Sequence, residues 1–556
     1  MKRKNLGTRL MAAGLTCALL LTGCGGSTAA GQASGTAEGG EGAAGGEERP
    51  TITVAVQMNE KGEYSDNNYA IKYIEDNTGV NIEFVQLPSD KGDADTKLNL
   101  MLSSGDYPDV ICYGMNKQKM VKFAKEGIFV PINELIDQYG DNIKRLFEAR
   151  PQYEQLSYAP DGNIYGFVTA NECYHCQAYP KLWYNTEWLE SLGLKEPETT
   201  EELKEVLLAV KNSDYNGNGK ADEIPLSGSK DWDCQLEWYL LNSFVPCDKE
   251  TLSHVEDGKV VFSCNTEEFK QGLAYLNELY SLGLIDPTCF TQSSDQMQQV
   301  IRSDKNLVFG YTADHFAMGI DLEDAHLNEV TAAMVPVEGP NGARWQLHKD
   351  YVDMTDGFSW FITDKCENKE AAFKVGDFLM GDESSMVQMY GKEGSYWGKL
   401  EAPTESILEG TEAIYWIKPG FTSNEDDEYQ KNTFWSGLMN QLAEFRASMA
   451  PRPEDMYVPD SYEARLFDET AKVVPYFYPE YLPKNLFLED DTDSETFTTI
   501  QTSLREYVKT SIAQFATGEM SVEKDWDSYL KALEKYDVET YVSLYQKAYD
   551  VYAAQQ

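Results

Sequence analysis

Apolar positions recur at helical spacing at Ala94, Leu98, Met101 and Leu102, and then the pattern changes abruptly. Gly105 supplies a left-handed cap, Pro108 pushes Asp106-Tyr107 out of helical geometry, and Asp109 to Cys112 reads as a short buried strand. Helix, tight turn and strand in that order predict half of a βαβ crossover. In an open parallel sheet the groups just past such a strand look into a ligand crevice, which puts Tyr113, Met115 and Asn116 at a cleft. Thr51 to Val56 alternates as a β-branched strand, a helix follows over Tyr69 to Asn77, and Val80 to Val85 is the next strand. The same logic places Gln57 and Met58 at the rim.

Further along, Asp161 to Gly166 predicts a turn into Phe167-Val168, and Lys181 to Asn185 a strand that opens a helix at Thr186. Phe269 to Leu282 is an amphipathic helix closed by Gly283. Asn306 to Tyr311 reads as a buried strand returning the chain to the first lobe. Thr331 to Pro336 and Phe358 to Thr363 are further strands, Asn368 to Leu379 a helix, and the last third is helical and aromatic. The expected class is α/β, with two discontinuous lobes joined by a hinge and an extended helical C-terminal region.

The N-terminus carries its own signal. Lys2, Arg3, Lys4 and Arg9 precede an apolar run from Met11 to Leu21, and Leu21-Thr22-Gly23-Cys24 follows as a lipobox. Residues 1–23 are thus expected to be a lipoprotein leader, with Cys24 lipidated after cleavage; an ordinary secretory signal is the alternative. Gly25 to Pro50, rich in Gly, Ala, Ser, Thr and Glu, cannot bury enough surface to offset chain entropy and reads as a tether over 24–50. No later stretch holds the roughly 18 to 20 apolar residues of a membrane span. The expected location is extracytoplasmic, anchored to the cell membrane by lipid.

Removing the four cations of the leader takes the formal charge from −45 to −49. Such a surface repels nucleic acid and anionic lipid.

The most specific chemistry lies in Asp214-Tyr215-Asn216-Gly217-Asn218-Gly219-Lys220-Ala221-Asp222-Glu223-Ile224-Pro225. Asp214, Asn216, Asn218 and Asp222 offer oxygen at loop positions 1, 3, 5 and 9, Gly219 allows the sharp turn at position 6, and Lys220 can offer its carbonyl. Pro225 stands where an EF-hand has a bidentate Glu, so Glu223 is the expected substitute. The spacing suits a structural Ca²⁺; a plain Gly/Asn-rich turn is the bland alternative. Cys173-Tyr174-His175-Cys176 admits a metal, a local disulfide or neither, whereas Cys112 and Cys264 are expected as buried thiols.

Several stretches together carry a resemblance: SSGDYPDVI ending at Ile111, GIFVPINELI at Gly127 to Ile136, WYNTEWLESLGLKEPETTEELKEVLLAVK from Trp183, MYGKEGSYWG at Met389 to Gly398, and FATGEM with DWDSYLKAL near the C-terminus. In these the chain resembles extracellular solute-binding lipoproteins of ABC carbohydrate importers, in the branch that includes alginate binders with a similar calcium loop. The resemblance covers nearly all of the chain beyond the tether. It implies a periplasmic-binding-protein-like type II fold, lobes of 51–182 with 308–365 and 183–307 with 366–556, a carbohydrate ligand, a membrane permease as partner, and a monomer.

Thirty-four Tyr and ten Trp fit that expectation, since sugar CH faces stack on aromatic rings while polar side chains meet the hydroxyls. The candidate ligand contacts are Gln57, Tyr113, Asn116, Trp183, Trp232, Tyr311, Asp314, Trp360, Tyr396, Trp397 and Trp435. Trp188 and Trp526, inside amphipathic helices, are assigned to the core. Two carboxylates could serve a glycosidase, but the sequence has no nucleophile elbow, P-loop or HExxH, and its five histidines are scattered. A binding protein is therefore expected, not an enzyme. A peptide-binding or adhesive surface lipoprotein is the remaining alternative.

Overall fold

The strand predicted from the Pro108 break is present, and it is the second strand of a four-stranded sheet. The computed structural model describes residues 49–57, 67–303, 307–354, 357–418, 427–434 and 436–554. In chain order its strands are β1 Thr51–Gln57, β2 Asn81–Leu87, β3 Val110–Cys112, β4 Phe167–Val168, β5 Ala170–Asn171, β6 Lys181–Asn185, β7 Ile224–Ser227, β8 Ser253–Glu256, β9 Lys259–Phe262, β10 Val308–Ala313, β11 Thr331–Met334, β12 Phe358–Ser359, β13 Phe361–Ile362, β14 Trp397–Glu405, β15 Glu412–Ile417 and β16 Asn440–Gln441. The first sheet runs β13-β3-β1-β2, with β1 parallel to both β2 and β3. Helices α1 (Tyr69–Thr78), α2 (Lys91–Ser104) and α3 (Lys117–Lys125) follow its strands. Asn68 caps α1 through the Ile71 N–H, and Gly79 and Gly105 end α1 and α2 at φ 70° and 76°, where a Cβ would be strained.

The second sheet runs β11-β6-β10-β7, with β10 antiparallel to β6 and parallel to β7. Each sheet has its own core. The first gathers Ile52 to Ala170 and Phe358 to Phe445, the second Leu182 to Leu347 and Leu482 to Tyr545, so the chain passes between lobes three times. Short pairings, β4 with β12 and β5 with β16, tie the crossing segments together on the first-lobe side.

This grouping corrects the expected lobes. Residues 308–313 pair in the second sheet, not the first, and helices Lys369–Leu379 and Asp382–Tyr390 bury Phe373, Val375, Met386 and Val387 in the first core, not the second. A strand buried along all six residues carries no alternation to say which sheet it joins. The C-terminal helices Asp491–Thr517, Val522–Lys535 and Val538–Ala553 do lie in the second core, through Val508, Phe515, Tyr529 and Tyr541. Trp188 and Trp526 are buried there as the helical pattern required.

The expected strand from Phe358 to Thr363 is broken in two by Trp360 at φ 57°. Its indole packs against Gly376, where a Cβ would approach it to 2.5 Å, and its N–H donates to the Ala372 carbonyl at 2.8 Å. The leader, Cys24 and most of the tether lie outside the described residues, and no described helix is long and apolar enough to cross a membrane.

Candidate functional site

Two cavities are each lined from both lobes and from the crossing segments. The first, of about 400 Å³, takes Glu172, Tyr174, His175 and Tyr351 from those segments, Tyr390, Tyr429, Gln441 and Arg446 from the first lobe, and Glu463 and Phe467 from the second. Its walls are braced across the lobes. Tyr174 stacks on Phe467 at 4.2 Å between ring centroids, and His175 Nδ1 lies 3.4 Å from Glu463. Arg150 grips both oxygens of Glu172 at 2.8 Å, and Glu172 also accepts the Ala443 N–H at 2.9 Å. Its place in the wall pushes the Glu463 carboxyl up, but the charge and hydrogen bond of His175, helped by Arg446 and His315, outweigh this and hold it down at about 2.

A bond between Cys173 and Cys176 closes the four-residue turn that carries Tyr174 and His175. The local disulfide is the structure's resolution of that motif, and it leaves no thiolate there for a metal. The other described cysteines are free and buried, Cys112 and Cys264 among them.

The second cavity, of about 520 Å³, sits at the carboxyl end of the first sheet. Gln57, Tyr113 and Asn116 all line it, where the strand-end argument put them. Gln57 donates to the Ser89 carbonyl at 2.8 Å, and Asn116 caps α3 through the Lys119 N–H. Asp353, Lys484 and Tyr552 close the other side.

At the carboxyl end of the second sheet, Asp314 lies 3.5 Å from His315, half-buried. Trp232 is 69% exposed on a loop where it and Asp233 both have positive φ, 54° and 52°. Asp233 is clamped by Lys249 and by Lys349, the latter at 3.0 Å, so the strained turn is held by charge.

Four expected contacts belong to the core instead. Trp183 is fully buried, with its N–H on the Ala313 carbonyl and its ring edge-on to Phe316. Tyr311 is buried with its hydroxyl on the Phe316 carbonyl, Trp360 is buried as described above, and Trp397 is buried with its N–H on the Gly391 carbonyl. All four spend their polar atom on backbone, which is how a buried Trp or Tyr is satisfied. Tyr396 is half-buried, 5.5 Å from the Tyr429 ring that lines the first cavity. Trp435 lies outside the described residues.

Residues of the first cavity were not found by pattern, because Glu172, Tyr174 and Glu463 sit in irregular or helix-opening positions with no periodicity to place them. The one available signal was Cys173-Tyr174-His175-Cys176, an aromatic and a His fixed between two cysteines.

The oxygen-rich loop folds on itself. Gly219 (φ 82°) turns its N–H onto Asp214, Asn218 and Asn216 side chains donate to Asp222, and the Lys220 N–H reaches Asn218. Glu223 is buried, and one oxygen accepts the Tyr215 N–H at 2.7 Å while the other has no hydrogen-bond partner among the described residues. An orphaned buried carboxylate oxygen beside Asp214, Asn216, Asn218 and Asp222 is a donor set that fits a hard cation.

Residues 60–386 match the family model described as bacterial extracellular solute-binding protein. The fructooligosaccharide ABC transporter substrate-binding protein FusA of Streptococcus pneumoniae serotype 4 is 29% identical over 511 residues, 87% of each chain. A solved structure of an EF-hand mutant of S. pneumoniae FusA with fructo-nystose matches at TM-score 0.72 and 25% identity, over 91% of this chain and all of that one. Alginate-binding protein AlgQ2 without calcium ion matches in fold at TM-score 0.64 and 22% identity, over 90% and 98% of the two chains.

Proposed function

From the premise that this chain belongs to the bacterial extracellular solute-binding proteins, we propose that it is the lipid-anchored capture subunit of an ABC importer, taking an oligosaccharide into the groove between its lobes and delivering it to a membrane permease. The observation that carries this reading is the first cavity, walled from both lobes by Tyr174, Tyr390 and Phe467 with Glu172, Arg446 and Glu463 among them. Rings offer faces to sugar CH groups, and the fixed charged groups offer directional partners to hydroxyls. The described binding of fructooligosaccharide by FusA supports the ligand class.

Capture works through differential contact. A ligand touching both walls favours the closed arrangement, because only there does it gain both sets of contacts. The crossing segments at Glu172 to Gln177 and Asp350 to Met354 are where such closure would bend, and the Cys173–Cys176 bond keeps Tyr174 and His175 in fixed relation while it does. Trp232, exposed on its clamped loop, is a second aromatic face for the ligand.

Ca²⁺ fits the loop at Asp214, Asn216, Asn218, Asp222 and Glu223 with the Lys220 carbonyl. When bound it supplies charge to satisfy the orphaned Glu223 oxygen and pins the start of β7. Cys24 carries the anchor and 24–50 the tether.

A thermal-shift screen of the chain against neutral and charged oligosaccharides, peptides and amino acids tests the reading. At about 100 times its dissociation constant a ligand adds about 2.7 kcal/mol. A shift with saccharides is expected; a shift with peptides and none with saccharides would overturn it.

A further inference from the structure

Resting on the saccharide-capture reading above, we propose that the second cavity is an anion recess, in which Lys117, with Lys91 and Lys484 beside it, meets a carboxylate or phosphate group. In a chain of formal charge −45, cations gathered in one interlobe recess run against the prevailing charge. The acids of that cavity are already engaged. Asp95 takes Lys119 at 3.3 Å, Glu250 takes Arg505 at 2.5 Å, and Asp353 accepts the Tyr481 hydroxyl and the Lys484 N–H, both at 2.7 Å.

Lys117 has no acid within ion-pair distance among the described residues. It is half-buried at the start of α3, 5.5 Å from the Phe487 ring centroid. Burial draws its ammonium down to about 8, and no carboxylate stands near enough to offset that. An uncompensated, partly buried cation costs free energy that an incoming anion would recover. The first cavity's lining cation, Arg446, is instead held by the side-chain oxygens of Asn171 and Gln441, at 3.3 and 2.6 Å. The anion could be a substituent of the captured saccharide or a free ion, and the shared chemistry is the same.

The test is calorimetric titration of the full chain and of Lys117→Gln and Lys117→Arg with three probes: a neutral fructooligosaccharide, an oligogalacturonide and inorganic phosphate. The unaltered chain should bind at least one of the two anionic probes, in the uronide's case about tenfold more tightly than the neutral sugar. Lys117→Gln should remove that advantage, or the phosphate binding, while leaving the neutral sugar unchanged, and Lys117→Arg should retain it. Uronide binding without phosphate assigns the recess to a saccharide substituent, and phosphate without uronide to a free ion. Equal anion binding by Lys117→Gln and the unaltered chain, or no anion binding at all, overturns the recess even where neutral sugar binds. Failure of every saccharide would sink the capture reading instead, and phosphate binding lost in Lys117→Gln would still uphold the recess.

Discussion

The two cavities differ in how they are built. The second is made where strands end: Gln57 is the last residue of β1, and Tyr113 and Asn116 follow β3, so sheet topology alone carries them to a crevice. The first is made where the chain crosses between lobes, from Glu172 to His175, Tyr351 and Glu463, held by a ring stack, a two-point Arg150 grip and a local disulfide. Regular structure places one, and side-chain bracing places the other. Residues that act by bracing should lose affinity sharply when cut, whereas those on strand ends should tolerate change better.

The largest expected effect separates both cavities from the core. Trp183→Ala and Trp360→Ala should each cost about 3 to 5 kcal/mol of stability, read as a lower denaturation midpoint. If either instead folded with unchanged stability and lost sugar affinity, the assignment of these indoles to the core would be wrong. Next is the metal. EDTA, or Glu223→Gln, should lower the melting temperature, and added Ca²⁺ should restore it in the first case only; an EDTA-insensitive midpoint would remove Ca²⁺ from the account.

Within the first cavity, Tyr174→Ala removes the stack on Phe467 and should weaken saccharide binding about tenfold or more, while Asn116→Ala in the second should change neutral-sugar affinity less than threefold. Equal losses would erase the distinction between the two. The smallest effect is the pH response of the His175 and Glu463 pair. Glu463 is held below its ordinary value, so its contribution is present above about pH 4.5 and is lost as pH falls toward 2. Its side chain is 45% exposed, so screening limits this to about 1 kcal/mol or less. Glu463→Gln should flatten the acid limb of the stability profile by that amount.

The same contrast explains what the sequence disclosed. The α2 to β3 unit, the caps at Gly79 and Gly105 and the cleft positions of Gln57, Tyr113 and Asn116 follow from periodicity and turn chemistry, both local. Trp183, Tyr311, Trp360 and Trp397 misled because a Trp or Tyr near a strand end looks alike whether it faces sugar or satisfies its N–H or O–H on a backbone carbonyl. Which lobe received β10 or the helix at Lys369–Leu379 depended on partners distant in the chain, β6 and β7 for the strand and α1 for the helix, and no local pattern encodes that.

The most direct test of the central claim is a calorimetric titration of the chain with fructooligosaccharides, run in parallel on Tyr174→Ala. Saturable binding to the unaltered chain that falls about tenfold or more in the variant is the result this account predicts. Binding of equal strength in both, with the variant folded, would contradict it and place the sugar elsewhere.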